Sequence, residues 1–320
     1  MESNIKNFGK LIKELKDIFK DFNEDKPLVI NRGHEGPDQT IENEIGKKII
    51  EQLKGKYIIK RPHEFYQDKI DKIIKECQAG RIKGLPSNIL DLLKSTKIAN
   101  GQKLKFIELI RDLLYDNNPI LKSLLGTQGG VSKNDVRDYI LNKKPIRKKQ
   151  QEPADFLILD NSIGIYNSID VKSHKIELDS RPPNMISMQR LTDLFAQMVN
   201  KKVFDTIHLV FIGVKFRDSD TNKYELTEIE VVDFFSMDLD KSNITYNIDA
   251  ALQLQFWADE AKTKEQTRQE FIKRILSSFI ETYSNGVERL KRRTHDCQTI
   301  LKSLQSPSES RGTQQTHLSS

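Results

Sequence analysis

The stretch that decides the fold is Pro153-Ala154-Asp155-Phe156-Leu157-Ile158-Leu159 and its continuation, Ile163-Gly164-Ile165-Tyr166-Asn167-Ser168-Ile169-Asp170-Val171-Lys172. Both runs are short, apolar and rich in β-branched or aromatic residues, and Asp160-Asn161-Ser162 between them is turn chemistry, so the pair predicts a β-hairpin. In the second run alternate side chains take opposite faces. Ser168, Asp170 and Lys172 therefore share one side, while Ile169 and Val171 take the other. Asp155, at the start of the first strand, reaches the same end of such a hairpin.

Two carboxylates and one ammonium at one sheet end suit a metal-dependent phosphodiesterase. Hard oxygen ligands hold magnesium, and the ammonium steadies developing phosphate charge or orients the attacking water. The acid-x-Lys triplet alone carries little, because Glu14-Leu15-Lys16 and Glu260-Ala261-Lys262 match it in polar, helix-like surroundings. An Asp and Lys at a strand edge also read as a surface ion pair worth little.

The run from Pro153 to Lys172 resembles the fork of PD-(D/E)XK nucleases, with Ala154 interposed between the proline and the acid. The chain beyond it resembles the HincII-type restriction endonucleases in particular. The residues that carry this likeness are Pro182-Pro183-Asn184-Met185-Ile186-Ser187, the helix-like 191–198 and Tyr246-Asn247-Ile248-Asp249-Ala250-Ala251-Leu252-Gln253-Leu254-Gln255-Phe256. The resemblance is strong over 155–256 and fainter but collinear on both sides, including Leu124-Leu125-Gly126.

The resemblance implies a type II restriction endonuclease, a homodimer that cuts both strands of double-stranded DNA within a short palindrome and leaves blunt ends. Asp155 and Asp170 would hold Mg2+ and Lys172 would serve catalysis. Asn184 and Asn247 match positions that approach base edges. Arg181 stands where the family carries a glutamine that pushes into the duplex. The Pro182-Pro183 support behind it restricts φ and would help to aim the side chain. A DNA repair or recombination nuclease of the same fold, and a non-catalytic DNA-binding protein, are the alternatives.

Composition sets the bounds. A chain of 320 residues, 37% hydrophobic, buries one large core or two modest ones. A net charge of +6 and a pI near 9.0 permit a polyanionic partner without demanding one. The two cysteines, Cys77 and Cys297, lie far apart without metal-ligand spacing, which suits a reduced, cytoplasmic protein. No run approaches the ~18 apolar residues of a membrane span. Lys143, Lys144, Arg147, Lys148 and Lys149 form the densest positive patch, immediately before the fork, where the phosphates of a duplex would have to pass.

The expected architecture is α/β, a restriction-endonuclease-like mixed central sheet flanked by helices. It occupies a single endonuclease domain over 1–304. That domain divides into a mainly helical part over 1–150, the sheet core over 151–260 and a C-terminal helix over 261–304. The tail, 305–320, is expected to be disordered because it offers almost nothing to bury.

Further elements follow from periodicity. Helices are predicted over 4–22, from Asp38 to Leu53, over 132–141, from about Ile186 to Lys202 and over 265–304. Strands are predicted over 57–60, 206–214 and 224–232. The second of these is a nearly continuous apolar run in which His208 reads as a buried structural histidine. Glu42 or Glu44, early in the second helix, is a further metal-ligand candidate, although helix capping and the helix dipole explain either one equally. Gly126-Thr127-Gln128-Gly129-Gly130 reads as a linker or a phosphate-approach loop.

Overall fold

The structure, a computed structural model, describes residues 2–116, 131–147, 154–160, 165–176, 182–202, 204, 207–219, 222–240, 244–247 and 252–305. Pro153, Lys148, Lys149, Arg181, the glycine loop 126–130 and the tail from 306 lie outside the described residues. The chain divides into two compact units, Met1–Leu276 and Ser277–Ser320.

The first unit is built on a six-stranded mixed sheet. Its strands are β1 (Leu28–Asn31), β2 (Ile58–Lys60), β3 (Phe156–Asp160), β4 (Ile165–Lys175), β6 (Ile207–Ser219) and β7 (Lys223–Asp233), in the order β1-β7-β6-β4-β3-β2. Only β4 and β6 run parallel. The other neighbours, including the predicted β3–β4 hairpin, are antiparallel. The continuous run Ile207 to Val214 is buried throughout, because β6 lies between β4 and β7 and is covered on both faces. The strand continues five residues beyond the predicted end to Ser219, where polar residues begin to alternate with apolar ones.

One face of this sheet packs against α1 (Glu2–Phe19) and α2 (Pro37–Leu53). Leu11, Leu15 and Phe19 meet Ile41, Ile45 and Ile49 in one buried cluster with Phe156, Ile158, Ile169, Val171, Val210 and Ile212. The predicted alternation on β4 therefore holds: Ile169 and Val171 enter this core and Asp170 does not. Across the sheet a group of phenylalanines interlocks edge to face. Phe211 of β6 meets Phe234 and Phe256, with ring centroids 5.8 and 5.2 Å apart, and Phe271 at the start of α8 (Arg268–Gln305) meets Phe234 at 5.0 Å.

The segment before the fork is helical, as expected: α3 (Pro62–Gln78), α4 (Ile89–Lys94), α5 (Asn100–Asp116) and α6 (Lys133–Asn142). Ser132 caps α6 reciprocally with Asp135.

A second, three-stranded antiparallel sheet corrects one expectation. The helix predicted from Ile186 starts instead at Met188 as α7 (Met188–Lys201), capped by the Ser187 hydroxyl, which accepts from Arg190 N. Residues Asn184–Ser187 form β5, which pairs with β9 (Gln253–Gln255), and β9 pairs in turn with β8 (Thr245–Asn247). His208 is buried at 1% exposure, stacked on Phe8 at 3.6 Å and in contact with the Arg268 guanidinium. It is structural, as expected.

Candidate functional site

The site forms where β3 and β4 part. Their antiparallel ladder reaches Phe156 opposite Ile169, and beyond that point β4 runs on to Lys175 with only β6 beside it. Asp155 stands at the parting. Its backbone N donates to Ile169 O (2.8 Å), and its carboxylate accepts from Val171 N (2.8 Å), replacing the strand partner that β4 has lost. Asp155 is thereby fixed in position, 8% exposed.

Asp170 follows on the opposite face from the aliphatic core and is 4% exposed. Lys172 Nζ donates to its Oδ1 at 2.8 Å. Burial pushes the Asp170 carboxyl well above its ordinary range. Lys172 opposes that shift, and the neighbouring Asp155 carboxylate adds to it. For Lys172 burial acts downward, but the negative field of Asp170 and Asp155, with a contribution from Glu42, outweighs it and holds the ammonium above its usual value. The sequence-predicted Asp155, Asp170 and Lys172 are thus gathered at the point where β3 and β4 part.

The structure also separates Glu42 from Glu44. Glu42 is 8% exposed, 3.7 Å from Arg61 and within electrostatic reach of Lys172. Glu44 turns toward Lys47 on the helix surface. The rotation of α2 follows from Gly46, one turn beyond Glu42. A Cβ at position 46 would lie 2.0 Å from Phe156 Cζ, so only glycine lets the helix settle onto the strand that begins at Phe156, next to Asp155.

Two buried carboxyl groups close together, with Asp170 held above its ordinary range by burial and by the neighbouring Asp155, are a donor set suited to a hard divalent cation, whose charge relieves both effects. Among the described residues no group of three or more His, Cys, Asp or Glu is placed to hold a metal. Asp155 and Asp170 would therefore hold such an ion as a pair. This fits magnesium, which commonly takes one or two carboxylates and completes its shell with water and phosphate oxygens.

The base-approaching candidates come together in the second sheet. Asn184 lies opposite Gln255, whose Nε2 donates to Asn184 Oδ1 at 2.9 Å, and Asn247 lies opposite Gln253. Gln253 and Gln255 were not singled out from sequence. Their signal was the alternation Gln253-Leu254-Gln255, which buries only Leu254 and leaves two amides on the other face. In the basic run, Lys143, Lys144 and Arg147 are exposed, and Lys144 lies 3.5 Å from Asp138.

A family model described as "Restriction endonuclease HincII" matches residues 100–295, more than half of the chain. Two curated relatives match as well: the type II restriction enzyme HincII of Haemophilus influenzae and the type II restriction enzyme HindII of Haemophilus influenzae strain Rd. Each is 27% identical over 165 residues, covering 51% of this chain and 60% of the relative, so the likeness spans less than two thirds of either relative's length. The fork and the second sheet fall inside the family match, whereas α2, with Glu42, precedes it.

Proposed function

The chain belongs to the HincII restriction endonuclease family, and on that premise we propose that it is a type II restriction endonuclease, making magnesium-dependent double-strand cuts in duplex DNA within a short palindrome and leaving blunt ends. The observation that carries this reading is the fork itself: Asp155 and Asp170 buried side by side, with Lys172 Nζ 2.8 Å from Asp170. Asp155 and Asp170 would hold Mg2+, which when bound would supply charge for the phosphate oxygens and lower the pKa of an attacking water. The surrounding carboxylates of the metal-free fork hold the Lys172 ammonium above its usual value. Its role in this reading is a positive donor that positions the water or steadies the developing phosphorane-like charge. Glu42 extends the negative rim of the site.

Asn184 and Asn247 approach base edges, where an amide suits two-point contact with adenine. Arg181, which precedes β5 in the sequence, is the wedge candidate. A homodimer brings one fork to each strand, because two-fold protein symmetry matches a palindrome. Plasmid incubated with magnesium tests the reading: discrete bands support it, structure-dependent nicking points to a repair nuclease, and a mobility shift without cleavage points to a binding protein.

Two further outcomes are expected. Magnesium should raise the melting temperature of the wild-type protein by mass action, and Asp170→Asn should remove that rise together with cleavage. An undiminished rise in Asp170→Asn would take Asp170 out of the metal site. Replacing Lys143, Lys144, Arg147, Lys148 and Lys149 with neutral residues should weaken binding to all sequences about equally and flatten its salt dependence. An unchanged salt slope would return that run to the solvated surface.

A further inference from the structure

Beyond Lys172 the free edge of β4 leads into a cavity of about 530 Å3. Ser173, His174 and Lys175 enter it from β4, Arg32 from the residue after β1, Asp38 from the first turn of α2, and Asp218 from the end of β6. Pro183, just before β5, and Trp257, just after β9, close it from one end of that antiparallel pair, so it borders both the fork and the sheet that carries Asn184 and Gln255.

Its cations are held in advance. Arg32 Nη2 and Lys175 Nζ each lie 2.6 Å from a different oxygen of Asp218, and the Arg32 guanidinium rests 4.9 Å from the centre of the Tyr224 ring. The two bonds from Asp218 are exposed ion pairs, worth little to the fold, yet they aim two long side chains at one opening. The first turn of α2 adds a partial positive charge at the same wall. Its Asp38 carboxylate is engaged by the Ser173 hydroxyl, and proline at position 37 starts the helix. His174, stacked on Trp257 at 3.9 Å, forms a flat aromatic side to the space.

We propose that this cavity is a phosphate subsite for the backbone of duplex DNA outside the scissile phosphate, with Arg32 and Lys175 exchanging Asp218 for a phosphodiester when DNA binds. The inference rests on the nuclease reading and adds an anchor for the strand on its way from the fork. Asp218 acts as a placeholder. It keeps both cations extended in the free protein and competes with phosphate for them.

Duplex binding measured over a range of salt concentrations, with calcium in place of magnesium so that the DNA stays intact, tests this in the full chain. Arg32→Met/Lys175→Met should lower affinity for all sequences and make the log–log salt slope shallower by about 1, since losing one phosphate contact removes roughly 0.9. Asp218→Asn should do the opposite and tighten binding several-fold, an effect that a merely structural role for the ion pairs would not produce. A double variant with an unchanged slope, or an Asp218→Asn protein that binds no tighter than wild type, overturns the subsite while wild-type binding leaves the nuclease reading standing. A wild-type protein that does not bind duplex at all overturns both.

Discussion

Lys172→Ala is expected to lose cleavage by three orders of magnitude or more, while its affinity for cognate DNA stays within a few-fold of wild type. The asymmetry follows from where the charge sits. Lys172 Nζ is tied to the buried Asp170 at 2.8 Å inside the fork, and in the proposed role its field acts on charge that develops only during the reaction. Removing a transition-state contact lowers kcat and kcat/KM together, with little change in ground-state binding. Loss of one preorganised electrostatic contact commonly costs about 2.7–4 kcal/mol of transition-state stabilisation, a factor of roughly a hundred to a thousand. Here the change also leaves Asp170 buried beside Asp155 without its counter-charge, which adds to the loss. Single-turnover cleavage and a binding titration, run on the same duplex, separate the two quantities. A variant that cuts within tenfold of wild type removes Lys172 from the chemistry.

The second large effect is expected at a buried glycine that packs against the core behind the fork. Gly46→Ala places a methyl 2.0 Å from Phe156 Cζ and 2.5 Å from its Cε1, and Phe156 is wholly buried. In an exposed helix the same change would stabilise by about 1 kcal/mol through helix propensity. Overpacking a filled core costs about 1–3 kcal/mol, and here the clash is with a ring that has no open space to enter, so the cost wins. The melting temperature should fall by several degrees. Cleavage should fall further than stability does, because Phe156 adjoins Asp155 and because Glu42 lies one turn from Gly46 on the same helix. Phe156→Leu added to Gly46→Ala should recover part of the lost stability, as expected for two groups in direct contact. A Gly46→Ala protein as stable as wild type would contradict the close approach of α2 to the fork.

These two positions show what the sequence made legible and where it stopped. The hairpin and the side on which Asp170 and Lys172 project were readable because both are local, set by a period of two and a turn between apolar runs. The choice between Glu42 and Glu44 was not local. It depends on which face of α2 turns inward, and that is fixed by Gly46 meeting Phe156 more than a hundred residues later in the chain. The second sheet was missed for another reason. Strands of three and four residues, such as Thr245–Asn247 and Asn184–Ser187, give too few alternations to separate from the helix that follows. Ser187, read as part of that helix, is in fact its cap. Gln253 and Gln255 went unnoticed with them, although they stand beside the two asparagines taken from the family resemblance.

The central claim is that one fork cuts each strand of a symmetric site. Sequencing the ends produced when magnesium and the purified protein act on a genome of known sequence tests it most directly. The account predicts that every break falls within one short sequence with two-fold symmetry, with the two strands cut directly opposite each other. Ends scattered without a common sequence, or cuts confined to one strand, would contradict it.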